Sequence, residues 1–537
     1  MDENRYQCIV VGGGAAGLTA AVYLAREGYK TLLIEKNDKP GGLISTFEHN
    51  GFYFDAGIRG FEDAGVILPM LADLGIQLDI AKSPVSIGIE NEIINVDTTE
   101  QIKEYQAILE KLYPESREEV RVIISEIKKA VTYLQALYGV MNPMFKDLKK
   151  DLPYLFKELI PWLPKYFKTI SKIKKMNSPF ESYLGDRITN RSLFDIVFQH
   201  FFKQTPAFFA LSYFYLYPDY FYPIGGMGRW ADAVANKFIE LGGTVEYNVV
   251  AQRVNVLEGY LDVDSEKRFY FDSLIWAADL KSLYSNVTLS GLPDRVEKVF
   301  EQKKSQILNA RGGESVFSVF MEVDEDPETF RNISNSHFFY TPSKIGLGDT
   351  NRKEMEALLA NWSNLSKTEI LDWVNRFVSL NTFEISIPVL KDANLAPEGK
   401  TGLIVSFLFD YEIFNRVHSD GWYNEFKVAV ENRVVEVLSK SIYPFLKEKI
   451  THRFSFSPIS IHNRTLSTDG AITGWAFGKH MPSVNAMHKM NKAVFTPFPN
   501  VFIAGQWSFS PSGVPMSILT GRLATNQAIS FIKKKNV

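Results

Sequence analysis

The sequence has a single cysteine, Cys8, among its 537 residues, so no disulfide can form within the chain. The 59 Lys and Arg residues nearly balance the 62 Asp and Glu residues, and the net charge of -3 gives no general attraction to nucleic acid. The eight histidines are scattered, and no pair has metal-ligand spacing, so we expect no metal site. No apolar run approaches the ~20 residues that a membrane span needs, and no signal peptide begins the sequence. We therefore expect a cytoplasmic protein without a bound metal.

Aromatic residues are abundant, with 40 Phe, 24 Tyr and 8 Trp. Many of them lie between residues 194 and 222, in the stretch FDIVFQHFFKQTPAFFALSYFYLYPDYFY. Such a cluster forms either the core of a large domain or the wall of a long apolar pocket. At 537 residues the chain is too long for one core, so two or three domains are expected.

The N-terminal sixty residues have the pattern of a βαβ unit. Residues 6–11 predict a buried strand, residues 15–27 a helix and residues 31–35 a second strand. Between the first strand and the helix lies the pattern G-x-G-x-x-G, which permits a tight turn and a close approach of a pyrophosphate to the helix N-terminus. Glu35, at the end of the second strand, is placed to accept hydrogen bonds from ribose hydroxyls. The dinucleotide-binding residues predicted from this unit are Gly12, Gly14, Ala15, Ala16, Gly17, Glu35 and Lys36.

Four further segments resemble the large flavoprotein family that contains amine oxidases and carotenoid desaturases. They are residues 39–45, 52–57, 502–507 and 513–516. The resemblance implies that the cofactor is FAD. The additional FAD contacts that it implies are Gly42, Leu43, Gly57, Ile58, Arg59, Val250, Ala251, Gly505, Gln506, Gly513, Val514, Pro515 and Met516.

Residues 223–227, 387–400 and 465–478 resemble more closely the branch with phytoene desaturases, carotenoid isomerases and retinol saturases. This implies an α/β fold in which a Rossmann-like FAD-binding domain of glutathione-reductase type is interleaved with a mixed α+β substrate domain and a helical, aromatic-rich segment. The expected FAD-binding domain comprises residues 1–80, 223–300 and 490–537. The expected substrate domain comprises residues 81–222 and 301–489, with the helical part at 101–222.

The resemblance implies an FAD-dependent oxidoreductase that moves a hydride between flavin and a long apolar isoprenoid or polyene. The alternatives are a flavin amine oxidase and a non-catalytic prenyl-binding protein of the same fold. We expect no second dinucleotide site, because no strand is predicted before the glycines at 225–228, so the electron acceptor would be oxygen or a membrane quinone.

Three residues are candidates for direct roles in the reaction. Arg59, if it faces the flavin, would stabilise reduced flavin or orient a polar substrate end; the alternative is a structural ion pair. His200 and His480 are candidate acid–base groups, although a lone histidine is more often simply hydrogen-bonded.

Residues 146–175 contain nine lysines interleaved with aromatic residues. A basic, aromatic helix of this kind suits a membrane surface, where lysines meet headgroups and rings lie at the interface. The alternative is a solvated face over an ordinary core. The protein is therefore expected to be cytoplasmic with peripheral membrane association as an open possibility.

Overall fold

The structure is a computed structural model that describes residues 4–478 and 480–535. It has the mixed α/β architecture that the sequence predicts. The described strands, in chain order, are β1 (Arg5–Val11), β2 (Thr31–Glu35), β3 (Thr46–His49), β4 (Phe52–Asp55), β5 (Phe61–Glu62), β6 (Ile80–Lys82), β7 (Val85–Ile89), β8 (Glu92–Val96), β9 (Tyr220–Pro223), β10 (Thr244–Tyr247), β11 (Ala251–Asn255), β12 (Tyr260–Val263), β13 (Arg268–Trp276), β14 (Val287–Thr288), β15 (Ser315–Val323), β16 (His337–Thr341), β17 (Phe383–Ser386), β18 (Thr401–Phe409), β19 (Ile450–Phe456) and β20 (Val501–Ile503).

The described α-helices, in chain order, are α1 (Ala15–Arg26), α2 (Ile67–Leu74), α3 (Ile102–Leu112), α4 (Arg117–Leu137), α5 (Leu152–Tyr154), α6 (Ile160–Ile173), α7 (Phe180–Leu184), α8 (Arg191–Phe198), α9 (Ala207–Leu216), α10 (Gly228–Glu240), α11 (Leu280–Asn286), α12 (Asp294–Leu308), α13 (Pro327–Arg331), α14 (Lys353–Ala360), α15 (Lys367–Leu380), α16 (Tyr411–Ser419), α17 (Tyr423–Ser439), α18 (Leu446–Lys449), α19 (Pro458–Thr465) and α20 (Val514–Lys535). A π-helical turn, Leu155–Leu159, joins α5 to α6. None of the helices in the described part of the chain is long and apolar enough to cross a bilayer.

The first sheet joins the two ends of the chain. Its strand order is β10-β2-β1-β13-β12-β11-β14, and β20 also pairs with β13. The strands β10, β2, β1, β13 and β20 pair in parallel and are apolar along most of their length, as expected for a sheet covered on both faces. The helices α1, α10 and α20 cover one face of this sheet.

The contact between α1 and α20 is unusually close because Gly521 has no side chain. A Cβ atom placed on Gly521 would lie 2.4 Å from the carbonyl oxygen of Ala16. Thr525 Oγ1, one turn later, donates to the Ala20 carbonyl over 3.2 Å. The C-terminal helix is thereby fixed against the first turn of α1, which follows the glycine-rich loop.

The second sheet has the order β19-β15-β18-β17-β16-β7-β8, and all its pairs are antiparallel except β16–β7. One face packs on α14, α15 and α17 through residues such as Phe317, Val319 and Phe383. Because side chains alternate along a strand, the residues between these face the other side. There the register aligns one row across five strands: Ser318, Ser406, Glu384, Phe339 and Ile87.

A short strand precedes the glycines at 225–228, which corrects the sequence prediction. The strand is β9, and it lies between β5 and β6 in a small antiparallel sheet. It escaped prediction because it has four residues within an aromatic run. Since β9 has antiparallel neighbours, this strand–glycine–helix segment differs from the parallel βαβ unit of a dinucleotide site.

The segment from α3 to α9 is helical, as the sequence predicts, and packs on β7 and β8 around one apolar cluster. For the chain as a whole, we propose the division given above: an FAD-binding domain of residues 1–80, 223–300 and 490–537, and a substrate domain of residues 81–222 and 301–489.

We predict that Gly521→Ala destabilises the fold by about 1–3 kcal/mol, since its added methyl group would overlap a backbone carbonyl that cannot move independently of α1. The measurement is the urea midpoint of unfolding followed by near-ultraviolet circular dichroism. Gly139→Ala is the matched control, because its Cβ atom would have 3.5 Å to its nearest neighbours. Equal midpoints for the two variants would contradict the close α1–α20 contact.

Candidate functional site

The glycine-rich loop has space for a phosphate group on one side and close packing on the other. A Cβ atom on Gly17 would overlap the Gly12 carbonyl, and one on Gly12 would lie 2.9 Å from the Ala277 carbonyl. A Cβ atom on Gly14 would meet nothing within 4 Å. The open side lies at the N-terminus of α1, where the first amides have no intrahelical acceptors and the helix dipole is positive. This arrangement fits a pyrophosphate.

Hydrogen bonds orient the Glu35 carboxylate for contact with a ribose. It is 5% exposed, and its Oε1 accepts hydrogen bonds from the Asn37 amide (2.9 Å) and the Asn37 side chain (2.8 Å). Its Oε2 accepts from the Gly13 amide at 2.6 Å. These bonds orient the carboxylate beside the loop, where a ribose hydroxyl would exchange for one of the present donors.

The second glycine pair and the 57–59 segment lie against the loop. The Gly41 amide donates to the Gly13 carbonyl over 2.8 Å, and a Cβ atom on Gly42 would lie 3.5 Å from the Gly14 Cα. The Ile58 amide donates to the Leu43 carbonyl over 3.2 Å, and Gly57 is too close to that carbonyl to carry a side chain. The predicted contacts at 42–43 and 57–58 are thus neighbours in space.

The C-terminal motif reaches the same place. Gly505 has a φ of +91°, and a Cβ atom there would lie 3.2 Å from the Ala16 Cβ. The Gln506 side chain lies 3.4 Å from Ser467 Oγ, and α20 begins at Val514, directly after Gly513. Gly505 therefore lies beside the first turn of α1, about 490 residues away in sequence, with Gln506 next to it. Residues 513–516 lie at the start of the helix whose Gly521 packs on the same turn.

Lys36, Val250 and Ala251 lie at the edge of this site. The Val249 amide donates to the Glu35 carbonyl over 3.1 Å, which places the two following residues, Val250 and Ala251, at the start of β11 beside the strand that carries Glu35. Lys36 Nζ donates to the carbonyls of Asn463 and, over 3.3 Å, of Arg464. Lys36 is therefore engaged with α19 in this structure.

Arg464, which sequence reasoning missed, supplies a cation to the site. Its Nη2 donates to Ser45 Oγ over 3.3 Å, while its Nε is buried and lacks a hydrogen-bond acceptor among residues 4–478 and 480–535. A half-buried guanidinium with a spare Nε–H donor beside the glycine-rich loop fits an anionic group such as the pyrophosphate of FAD. The residues present would hold FAD through the α1 amides, Glu35 and Arg464.

Arg59 is almost completely buried, at 2% exposure, and connects the end of β4 to the second sheet. Its Nη1 donates to the Asp55 carbonyl, and its Nη2 donates to Ser318 Oγ (3.2 Å) and Ser406 Oγ (3.0 Å). Burial lowers the pKa of Arg59, opposed by the negative charges of Glu384 and Asp55. The side chain thus lies over the second sheet, one residue beyond the predicted FAD contact Ile58, and its catalytic role remains a prediction.

A second buried cation, Lys391, accompanies Arg59. Its Nζ donates to the Arg59 carbonyl over 2.6 Å and to Ser386 Oγ over 2.9 Å. Burial lowers the pKa of Lys391 to about 8. Glu384 lies in the same cluster, with its Oε1 3.0 Å from His337 Nε2. Together the two cations balance the carboxylates of Asp55 and Glu384.

An apolar cavity adjoins this cluster. It lies between α3, α4, α8 and α9 on one side and β7 and β16 on the other. The aromatic stretch singled out in the sequence supplies Phe201, Tyr213, Phe214 and Tyr217 to its wall, and β16 supplies Phe339. Phe339 is the register neighbour of Glu384, so the cavity ends beside the buried charges.

The two candidate histidines differ. His200 lines the cavity, its Nε2 lies 3.2 Å from the Tyr217 hydroxyl, and burial lowers its pKa to about 4. A histidine with that pKa is neutral near pH 7, so one of its ring nitrogens carries a lone pair in place of a proton. It therefore cannot act as an imidazolium acid at that pH. His480 is exposed on a turn.

Glu62 is a titratable group that the sequence did not single out. Its side chain lies deep beside Tyr213 and Tyr220, and no cation pairs with it in the described part of the protein. Burial raises the pKa of Glu62 to about 7.

The alternation in β17, Phe383-Glu384-Ile385-Ser386, is the signal that would have identified Glu384. Arg464 and Lys391 have no comparable signal, because tertiary contacts alone bring them to the site.

We predict that the stability difference between wild type and Glu62→Gln depends on pH. Because the folded pKa of Glu62 lies above its ordinary value, the native state binds the proton more tightly, and wild-type stability falls as pH rises through the window from about 4.5 to 7. Relative to wild type, Glu62→Gln should therefore gain on the order of 2 kcal/mol between pH 5 and pH 8. Urea unfolding at several pH values measures this difference.

The control for this experiment is Glu356→Gln, the same change on the exposed surface of α14. Its stability difference from wild type should stay constant with pH. A constant difference for Glu62→Gln as well would contradict the buried, unpaired carboxylate.

Comparison with known proteins agrees with this geometry. The family model for flavin containing amine oxidoreductases matches residues 15–529. A prolycopene isomerase of Daucus carota is 25% identical over 88% of this chain and 72% of its own length. A lycopene-forming phytoene desaturase of Pantoea ananas is 23% identical over 94% of this chain and 95% of its own.

Among solved structures, putrescine oxidase bound to putrescine has the same fold, with a TM-score of 0.58, 16% identity, and coverage of 98% of this chain and 99% of its own. The family match runs from the first residue of α1 into α20 and so spans nearly the whole chain. The chain belongs to the flavin containing amine oxidoreductase family and is an FAD-dependent oxidoreductase.

Proposed function

We propose that this protein transfers a hydride between FAD and a long apolar polyene of the carotenoid or retinoid type, in a desaturation, isomerisation or saturation reaction. The observation that carries the proposal is the aromatic cavity, whose floor continues along one row of the second sheet. The row passes from Ile87 and Phe339 in the cavity to Ser406 and Ser318 under Arg59. Since Arg59 follows the predicted FAD contacts Gly57 and Ile58, this row leads from the cavity toward the proposed flavin position.

The relatives support the substrate class. Their names include prolycopene isomerase, all-trans-retinol 13,14-reductase and phytoene desaturase, and the retinol reductase of Danio rerio is 22% identical over 93% of this chain. The cavity has a volume of about 40 Å³ in this structure, so a bound polyene would displace some of its Phe, Tyr and Ile side chains. Burying the apolar surface of the polyene against them would contribute about 25 cal/mol per Å².

The side chains of the site have separable tasks in this proposal. Bound FAD would supply hydride acceptance or donation. The aromatic residues of α8 and α9 exclude water and align the polyene, and the N-terminus of α20 presents a positive dipole end toward negative charge that develops nearby. Arg59 adds a fixed positive charge between β4 and the second sheet.

The packing of Trp507 bears on the amine oxidase alternative. An amine oxidase site on this fold needs aromatic rings that flank the flavin, and Trp507 is the residue that left this alternative open. Its ring is 4% exposed and packs edge-on against Trp475, with ring centroids 4.6 Å apart, in the core beside the first sheet. A ring buried in this way favours a core role and therefore the polyene.

Anaerobic incubation of the FAD-loaded protein with a phytoene-like polyene, a retinoid or an amine tests the substrate class. We expect a polyene or retinoid either to bleach the absorbance of oxidised flavin near 450 nm, if it is desaturated, or to restore this absorbance in chemically reduced flavin, if it is saturated. Either rate should be at least ~10-fold above that with amines. Bleaching by amines alone would contradict the proposal. Reoxidation of the reduced protein by dissolved oxygen or by a quinone then identifies the acceptor, for which we propose one of these two.

We also propose that α5, α6 and the loop before them form a membrane-docking surface, composed of residues 146–175. Four apolar side chains project from it at spacings that place them on one side: Leu152, Phe156, Ile160 and Phe167, which are 44–64% exposed. Eight of the nine lysines are also exposed. Apolar side chains within a ring of lysines complement a bilayer with anionic headgroups.

The position of this surface suits an apolar substrate. The α4 helix packs against α9 and contributes Ile127 to the cavity wall, and it also packs against α6, where Trp162 Nε1 donates to the Ala136 carbonyl over 2.7 Å. The docking surface is therefore one helix away from the cavity, on the route that a lipid-dissolved polyene would take.

We predict that the protein co-sediments with vesicles containing anionic lipid and that Phe156→Ser combined with Phe167→Ser weakens binding at least fivefold. Neutralising Lys157, Lys165 and Lys168 should weaken it further and reduce its salt dependence. Phe495→Ser is the control, because Phe495 is 50% exposed outside this surface. Unchanged sedimentation of both sets of variants would contradict the docking surface.

A further inference from the structure

Glu384 stands at the boundary between the apolar cavity and the buried charges. In the row across the second sheet, its neighbour on one side is Phe339, which lines the cavity, and on the other side Ser406, which bonds to Arg59. Adjacent strands lie about 4.8 Å apart, so its carboxylate is within side-chain reach of both. Its side chain is 34% exposed, whereas that of His337 beside it is 1% exposed.

The groups around the partly exposed Glu384 side chain are themselves mostly buried. The groups that surround Glu384 are buried or line the cavity: Arg59, Lys391, His337, Tyr213, Tyr220 and His200 all interact with its charge. The 3.0 Å contact with His337 Nε2 is poorly aligned with the N–H direction, so the carboxylate has hydrogen-bonding capacity left over. A partly exposed carboxylate with unused capacity is free to accept a hydrogen bond from a ligand.

The charge state of Glu384 follows from its surroundings. Burial would raise its pKa, but the contact with His337 and the positive charges of Arg59 and Lys391 outweigh burial and lower the pKa. Glu384 is therefore an ionised acceptor near neutral pH. His337 is neutral, because burial lowers its pKa more than Glu384 raises it.

Three kinds of ligand end can meet this carboxylate. A hydrocarbon end leaves its lone pairs without a donor. An ammonium end gains from Glu384 but meets the like charges of Arg59 and Lys391 beside it. A neutral hydroxyl donates to the carboxylate, forms a charge-assisted hydrogen bond and brings no repelled charge.

We propose that Glu384 selects apolar substrates that carry a hydroxyl group at one end of the molecule, the end nearest the predicted FAD contacts Gly57 and Ile58. Glu384 is then a specificity-determining residue, and the substrate class narrows from polyenes in general to polyene or isoprenoid alcohols. This inference rests on the proposed function in taking the cavity as the substrate site.

Binding of three matched probes to the FAD-loaded protein tests the proposal. The probes are all-trans-retinol, the hydrocarbon in which its hydroxyl is replaced by hydrogen, and retinylamine, each titrated by quenching of protein fluorescence. In wild type the alcohol should bind at least about tenfold more tightly than the hydrocarbon and more tightly than the amine. In Glu384→Gln the preference should shrink, and in Glu384→Leu the alcohol and hydrocarbon should bind equally.

The control Glu431→Gln makes the same change at another buried carboxylate. Glu431 accepts a hydrogen bond from Ser455 Oγ on the other side of the second sheet. The control should keep the full preference, while FAD content and circular dichroism verify that each variant folds. A wild-type ratio near one, an unchanged ratio in Glu384→Leu, or no binding of any probe would overturn the proposal. Failure of the proposed redox function gives a different result from failure of this inference. In that case the flavin absorbance would not change with any substrate, but the protein would still bind the alcohol more tightly than the hydrocarbon.

Discussion

The buried carboxylate of Asp55 connects parts of the chain that are far apart in sequence. Its Oδ1 accepts from Thr46 Oγ1 (2.7 Å) and the Met227 amide (3.0 Å), and its Oδ2 accepts from the Tyr222 hydroxyl (2.7 Å). Its own carbonyl accepts from Arg59, which continues to the second sheet. A carboxylate at 0% exposure is stable only with such a set of donors, because a buried polar group left without its hydrogen-bond partner costs about 1–3 kcal/mol, and more when it is charged. This network therefore fixes the segment from Thr46 to Arg59, the glycines before α10 and the second sheet in one arrangement.

The arrangement holds two chemically different regions on either side of a cluster of buried charges. On one side, backbone amides, Glu35 and Arg464 present groups that fit a dinucleotide. On the other, aromatic side chains form an apolar wall. The charges of Arg59, Lys391 and Glu384 separate the two, and in our proposal they decide which part of an apolar substrate lies near the flavin. Buried charges are costly within a purely aromatic core. In the row across the second sheet, the aromatic and the charged side chains therefore lie on different, neighbouring strands.

The sequence predicted well what depends on local pattern. The strand–glycine–helix unit, Glu35 and the closing helix follow from hydrophobic periodicity and from the backbone freedom of glycine, and the structure places them as expected. The strand β9 was missed because four residues carry too little periodicity. Arg464 and Lys391 were missed because only the tertiary fold brings α19 and the 388–391 turn to the site. Glu384 had a readable alternation, but its position at the end of the cavity depends on strand register, which a single sequence does not fix.

The central claim is that the dinucleotide site and the aromatic cavity form one continuous site. The most direct test is the visible absorption spectrum of the FAD-loaded protein during titration with a polyene that cannot be oxidised or reduced by flavin. Our account predicts a saturable shift of the flavin bands at one equivalent of ligand, because the polyene lies against the ring and displaces water. Saturable binding of the polyene with an unchanged flavin spectrum would contradict it.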